Sequence, residues 1–276
     1  MGYDGYKALR ISVDGGVCRA TIDHPPINLL DATLIVDLDR FAREVEEDDD
    51  VRVVVIDSAN EEFFLAHADV ALIQRLPSGV LQPDAPLPFF SAVVERFRTM
   101  PKATIAVIEG RARGGGSELT LSMDMRFGAV GRTILGQPEV ALGILPGGTG
   151  TQRLPRLIGR ARAHEVILGC DDIDAETAER WGWLNRALSP DELRPFVDRL
   201  ARRIASFPGY AVAEAKAAMA RAEPDPVAGL QWEAHHFSKT LGEEETQRRM
   251  ERFFELGGQT RERELELGDL VAELGG

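Results

Sequence analysis

Two glutamates stand in apolar company. Glu118 has Leu119, Leu121 and Met123 close behind it, and Glu139 precedes Val140, Ala141 and Leu142. A carboxylate among apolar side chains is desolvated, which raises its pKa toward values useful for proton transfer near neutrality. Two such groups meeting in one pocket can handle the two proton transfers of a water addition, one acting on the water and one on carbon. The competing reading makes each of them a surface glutamate at the end of an element. Glycine-rich turns at 114–116, 147–150 and 15–16 can turn main-chain N–H groups toward an oxyanion or a phosphate, and each also fits an ordinary turn. None carries the G-x-x-x-x-G-K-[ST] phosphate loop or a dinucleotide fingerprint after a first strand. The five histidines, His24, His67, His164, His235 and His236, lack metal-ligand spacing, so no metal site is expected, and His67 is the one beside a candidate site. Cys170 has no histidine near it in sequence and is a poor candidate nucleophile.

The elements that must position these groups follow from periodicity. The glycines at 114–116 stand between an apolar run, 103–108, and a helix-like segment, 117–123. Residues 51–56 (VRVVVI) form a similar β-branched run, and both runs read as strands covered on two faces. Alternation in 7–13 and 17–23 about Asp14-Gly15-Gly16 predicts a β-hairpin. Leu34, Leu38, Phe41 and Val45 share one helical face after Asp31, a plausible N-cap. A further strand is predicted over 125–130, a turn at 136–139, and a helix over 151–158 after the second glycine-rich stretch. The stretch 77–88, with four prolines, reads as a loop. Strands alternate with helices to about residue 190, and the rest reads as helices, the last over 261–274.

At 276 residues the chain is long enough for one large domain and a sizeable core. A net charge of −13 argues against wholesale nucleic-acid binding. No apolar run approaches the ~18–20 residues of a membrane span. The first residues, MGYDGYKALR, lack the apolar core of a signal peptide. Cys18 and Cys170 read as small core residues of a reducing compartment, so the cytoplasm is expected.

Two blocks carry a resemblance. Residues 102–127, KATIAVIEGRARGGGSELTLSMDMRF, and residues 136–154, GQPEVALGILPGGTGTQRL, resemble the enoyl-CoA hydratase/isomerase (crotonase) superfamily. Fainter likeness runs through His24-Pro-Pro-Ile-Asn-Leu-Leu, 64–70 and 178–188. The resemblance implies an α/β fold of ββα units coiled into a spiral. It implies a core over residues 1–200 and a helical C-terminal oligomerisation region over 201–276, building a homotrimer or a dimer of trimers. The implied ligand is an acyl-CoA thioester, with no metal or redox cofactor, since coenzyme A is part of the substrate. By motif position the oxyanion donors are the N–H groups of Ala68 and Gly115. Glu118 and Glu139 become the catalytic carboxylates, the first activating the water added at C3, the second exchanging the proton at C2. Ala66, His67, Asp69, Gly114 and Gly147 fall at substrate-binding positions. Two carboxylates favour hydration over double-bond isomerisation or another enolate reaction.

There are departures from the pattern. His67 stands where glycine is usual; a positive φ there costs strain. Its ring either narrows the thioester pocket, adds a titratable group or points to solvent, the last being the expected direction. A spoiled oxyanion site, leaving a non-catalytic acyl-CoA-binding protein, is the rival reading from another functional class. The loop 77–88 is a candidate for setting acyl-chain specificity. Lys102, Arg111, Arg113 and Lys216 are candidate cations for the anionic coenzyme.

Overall fold

The structure is a computed structural model that describes residues 2–222 and 226–274. The predicted hairpin forms: β1 (Leu9–Asp14) pairs antiparallel with β2 (Val17–Ile22), Asp14 opposite Val17. Helix α1 (Ala32–Glu47) is capped by Asp31, whose side chain accepts from Leu34 N, and its buried face includes Leu34, Leu38, Phe41 and Val45. From there each turn of chain supplies two strands. The pairs are β3 (Val53–Ser58) with β4 (Phe63–Leu65), β5 (Ala103–Ile108) with β6 (Arg111–Arg113), and β7 (Met125–Ala129) with β8 (Ile134–Gly136). The first of each pair joins a six-stranded sheet ordered β1-β2-β3-β5-β7-β10, where β10 is Arg186–Leu188. The second joins a four-stranded sheet ordered β4-β6-β8-β9, where β9 is Ile173–Asp174. Pairing is parallel except for β1 with β2 and β8 with β9, as expected of a chain that coils rather than folding back.

Helices follow the strand pairs: α2 (Val70–Gln74) and α3 (Phe89–Thr99), then α4 (Gly115–Leu121), then α5 (Gly150–Ile158) after a 3-10 turn at Glu139–Leu142. The continuous apolar runs of β3 and β5 are explained by burial on both faces. Val54, Ile56, Ala106 and Ile108 enter the core beneath α1 and α3, while Val53, Val55, Ala103 and Ile105 face a second core. That second core is closed by Leu193, Val197, Ala201 and Ala205 of α8 (Pro190–Ala205), which follows α6 (Arg160–Gly169) and α7 (Ala175–Trp181).

The remaining helices are α9 (Gly209–Ala220), α10 (Pro226–Leu241), α11 (Glu244–Glu255), α12 (Arg261–Leu265) and α13 (Leu267–Glu273). The single helix predicted over 261–274 is thus two, broken at Glu266 (φ −116°, ψ 35°). Met250, Phe253, Leu267, Leu270 and Leu274 pack on Val70, Leu142 and Ile144, so the C-terminal helices lie against the segments that carry the candidate site.

Candidate active site

Helix α4 begins at the glycine run because the backbone there takes a path a side chain forbids. Gly114 has φ +48°, and a Cβ on it would lie 2.7 Å from Glu139 Oε1. Its N–H donates to Gly136 O (3.0 Å), which locks the turn to the end of β8. Gly115 then opens the helix; a Cβ built on it would sit 3.7 Å from Ala68 N. On the other side, Leu30 N donates to His67 O and Asp69 N donates to Leu30 O, both at 3.0 Å. Strand-like alternation leaves the intervening Ala68 N–H facing away from Leu30. Among the described residues neither the Ala68 nor the Gly115 N–H has a main-chain acceptor. At its far end α4 is closed by buried Arg126, which donates to Met123 O (2.7 Å), Thr120 O (3.3 Å) and Trp183 O (2.9 Å). Burial pulls that guanidinium down to about 10.

The two glutamates are buried and differently provided for. Glu118 Oε1 accepts from Gly148 N and Gly150 N, both at 2.8 Å. Thr149, between them, sits at φ +137°, a strained conformation that the two bonds on either side hold in place. Burial raises the Glu118 pKa, and the amides of Gly150, Gly148 and Thr149 hold it back. Glu139 is pushed well above the ordinary carboxylate range, by burial first and then by the negative charge of Glu118. With the Gln137 amide oriented so that its oxygen accepts from Ser117 Oγ (3.2 Å), its nitrogen faces Glu139 Oε2 at 3.1 Å. Both carboxyls are raised by burial, but only Glu118 has main-chain amides that favour its charged form, so the two environments push the pair apart.

A third carboxyl stands behind them. Glu233 of α10 is 3% exposed; its Oε2 accepts from Thr151 N (2.8 Å) and from the Thr151 hydroxyl, while Oε1 has no partner. Burial and the charge of Glu118 raise its pKa well above the usual value. Sequence reasoning missed it, although an acid beside Leu230, Ala234 and Phe237 on one helix was a readable signal.

A cavity of about 490 Å³ joins Glu118 and Glu139. It is lined by Ala68, Gly115, Glu118, Glu139 and Gly147. Phe90 and Phe237 add aromatic wall, pressed against the backbone of Gly148 and Gly147. Pro77, Gly79, Leu81 and Pro88 of the proline-rich loop close another side.

The sequence profile of the enoyl-CoA hydratase/isomerase family matches residues 12–261. The chain belongs to this family. The short-chain-enoyl-CoA hydratase of Clostridium acetobutylicum is 32% identical over 250 residues, 88% of this chain and 92% of the relative. The crotonyl-CoA hydratase of Syntrophomonas wolfei is 36% identical over 192 residues, 70% of this chain and 73% of the relative. The crystal structure of a putative enoyl-CoA hydratase from Streptomyces avermitilis matches with a TM-score of 0.91 at 39% identity, covering 98% of this chain and 99% of that one. The spiral fold is therefore that of the crotonase superfamily.

Within this family member, the remaining candidate residues stand behind the cavity wall. Ala66 is buried with Ile27 and Phe63, and Asp69 caps α2 through Ala71 N (3.0 Å). The His67 ring does not point to solvent: it is 6% exposed and binds Glu264 Oε1 (Nε2, 3.0 Å) and Ala68 O (Nδ1, 2.8 Å). Its backbone is not among the positive-φ residues, so the substitution carries no left-handed strain. The candidate cations are also committed internally. Lys102 Nζ donates to Asp48 O and Val51 O, and Lys216 pairs with Asp124 at 2.8 Å. Arg113 pairs with Asp172, and Arg111 donates to Leu265 O. Among the described residues no helix is long and apolar enough to cross a membrane.

Proposed function

We propose that the protein catalyses reversible syn addition of water to a trans-2-enoyl-CoA, giving a 3-hydroxyacyl-CoA. One observation carries this reading: two buried carboxyls share a cavity, one accepting from two main-chain amides and the other raised well above the ordinary carboxylate range by burial and by its neighbour. Glu118 takes a proton from the water adding at C3. Glu139 delivers the proton at C2. The amides of Ala68 and Gly115 receive the negative charge that builds on the thioester oxygen, a contribution of several kcal/mol when donors are preset. The Gly147 turn shapes the space beside the water. No metal or redox cofactor enters, and coenzyme A arrives as part of the substrate. Hydration is preferred to isomerisation because both carboxyls are present.

The spoiled-site reading loses its motive, since the His67 ring turns away from the cavity and its backbone is unstrained. We place the enzyme in the cytoplasm, in keeping with two free, buried cysteines, and assign it no nucleic-acid or membrane partner. A homotrimer or dimer of trimers is proposed. Helix α9 has no buried residue, and Tyr210, Met219 and Trp232 are exposed nearby in the chain, which leaves apolar surface to cover.

The test is incubation with crotonyl-CoA and longer enoyl-CoA thioesters, with products separated by chromatography. Loss of the enoyl absorbance with appearance of 3-hydroxyacyl-CoA supports the proposal. A shifted alkene and no hydroxy product refutes it in favour of isomerisation.

A further inference from the structure

The Ala68 amide is held from both sides by one short C-terminal segment. Before it, His67 Nε2 meets Glu264 Oε1 at 3.0 Å. After it, the Gln259 side chain takes two contacts: its Oε1 accepts from Val70 N and its Nε2 donates to Asp69 Oδ1, both at 3.1 Å. The two ends of the grip are tied together, because Gln259 N donates to Glu264 Oε1 at 2.8 Å. Gln259 adopts φ +65° to do so, and Arg113 Nη1 holds the Glu264 carbonyl at 2.8 Å. Glu264 is fully buried, yet its Oε2 has no partner, so His67 and Gln259 are what compensate its carboxylate. This costly arrangement sits one residue from the proposed oxyanion donor.

We propose that residues 259–264 act as a clasp that orients the Ala68 N–H, with His67, Glu264 and Gln259 as positioning residues for enolate stabilisation. The inference rests on the hydratase reading and deepens it. Histidine at 67 then has a use that glycine cannot serve: it carries a charge that the C-terminal helix can grip.

Four groups face the His67 ring. Glu264 comes from α12, Arg113 from β6 and the Phe253 ring from α11, and Glu139 lies across a small void of about 30 Å³. Burial disfavours the imidazolium, but the Glu264 charge, its hydrogen bond and the Ala68 carbonyl reverse this and raise the pKa, with Arg113 opposing. Glu264 is held below its ordinary value against burial, by His67, Gln259 N and Arg113. The window in which the pair is ionised is therefore widened at both ends, downward for Glu264 and upward for His67. The grip weakens as pH rises through the raised histidine pKa.

Glu264→Gln keeps the shape of the clasp and removes its charge; Gln259→Ala removes the second jaw; Glu262→Gln on the same helix is the control. Four readouts are taken on the full chain: kcat and KM for crotonyl-CoA, affinity for acetoacetyl-CoA, affinity for free coenzyme A, and melting temperature. Acetoacetyl-CoA supplies a thioester enolate, whereas the free thiol coenzyme has no oxyanion. Displacing a donor without removing it predicts a fall of about 10- to 100-fold in kcat and in acetoacetyl-CoA affinity for both clasp variants. KM and coenzyme A affinity should stay near those of the unaltered protein in both variants, and so should the melting temperature of Gln259→Ala, while Glu264→Gln, which takes one partner from a buried pair, should melt lower. The His67 imidazole, followed by NMR, should titrate at lower pH in Glu264→Gln.

Unchanged kcat and acetoacetyl-CoA affinity in both variants overturns the clasp. So does an equal loss of acetoacetyl-CoA and coenzyme A binding, which marks a merely structural contact. If the unaltered protein hydrates no enoyl-CoA, the reaction assignment fails, and the ratio of the two affinities still decides the clasp.

Discussion

Replacing Glu139 by glutamine sets rate and stability against each other. The amide keeps the volume of the side chain but cannot exchange a proton at C2. Loss of one acid–base group costs about 10²–10⁴ in rate, or about 2.7–5.4 kcal/mol of barrier. Stability should move the other way. The Glu139 carboxyl is raised well above its ordinary 4.5 by burial and by Glu118, so between those two values the native state holds a proton that the unfolded chain has lost. Native stability therefore falls as pH rises through that window, at about 1.4 kcal/mol for each pH unit. Glutamine has no proton to hold, and it also removes a buried group that repels Glu118 if ionised. The variant should match its parent near about pH 4 and melt above it near about pH 8, by roughly 2–4 °C for each kcal/mol recovered. Hydration of crotonyl-CoA gives the rate, and melting curves across pH give the stability. A variant that keeps more than about a tenth of the parent rate refutes the proton-transfer role. One that melts lower than the parent at the alkaline end refutes the electrostatic reasoning.

Three further perturbations separate other parts of the site. Glu233→Gln should leave the rate within about threefold, because the group lies behind the cavity, while flattening the alkaline fall in melting temperature that its raised pKa produces. Arg126→Met strands the carbonyls of Thr120, Met123 and Trp183 and should cost about 2–4 kcal/mol in denaturant unfolding. Phe237→Ala thins the wall beside Gly147 and should raise kcat/KM for longer enoyl-CoA thioesters relative to crotonyl-CoA by about tenfold, read from a chain-length series.

What the sequence made legible divides along physical lines. β3 and β5 announce themselves because strands buried on both faces are continuous apolar runs. β4, β6 and β8 do not, being three residues each, too short for any period. In β6 the sequence reads Arg-Ala-Arg, and buried Arg113 finds its partners, Asp172 and the Glu264 carbonyl, on distant parts of the chain. The break between α12 and α13 was missed although Gly268 and Asp269, two weak helix formers, follow it closely, and the leucines after the bend at Glu266 pack against the segments of the site. The motifs pointed to Glu118, Glu139, Ala68 and Gly115, and all four line one cavity. The direction of the His67 ring was misjudged, since its partner lies 197 residues away and nothing local foretells it. The same distance problem hid Glu233, whose partner Thr151 is 82 residues off.

Glu118 rests on the main-chain N–H groups of Gly148 and Gly150, and the amides of Ala68 and Gly115 are the open pair across the cavity. In the proposed mechanism, the negative charge of Glu118 and of the thioester oxygen is met chiefly by peptide groups. A point mutation cannot erase a peptide N–H unless it introduces proline. The anion receptors are thus nearly immune to substitution so long as the space around them is respected, while the carboxylates are exchangeable parts set upon them. A descendant of this chain that trades Glu118 or Glu139 for another side chain inherits the receptors intact. Few codon changes then separate one acyl-thioester chemistry from the next, and the spiral can diversify without first having to be rebuilt.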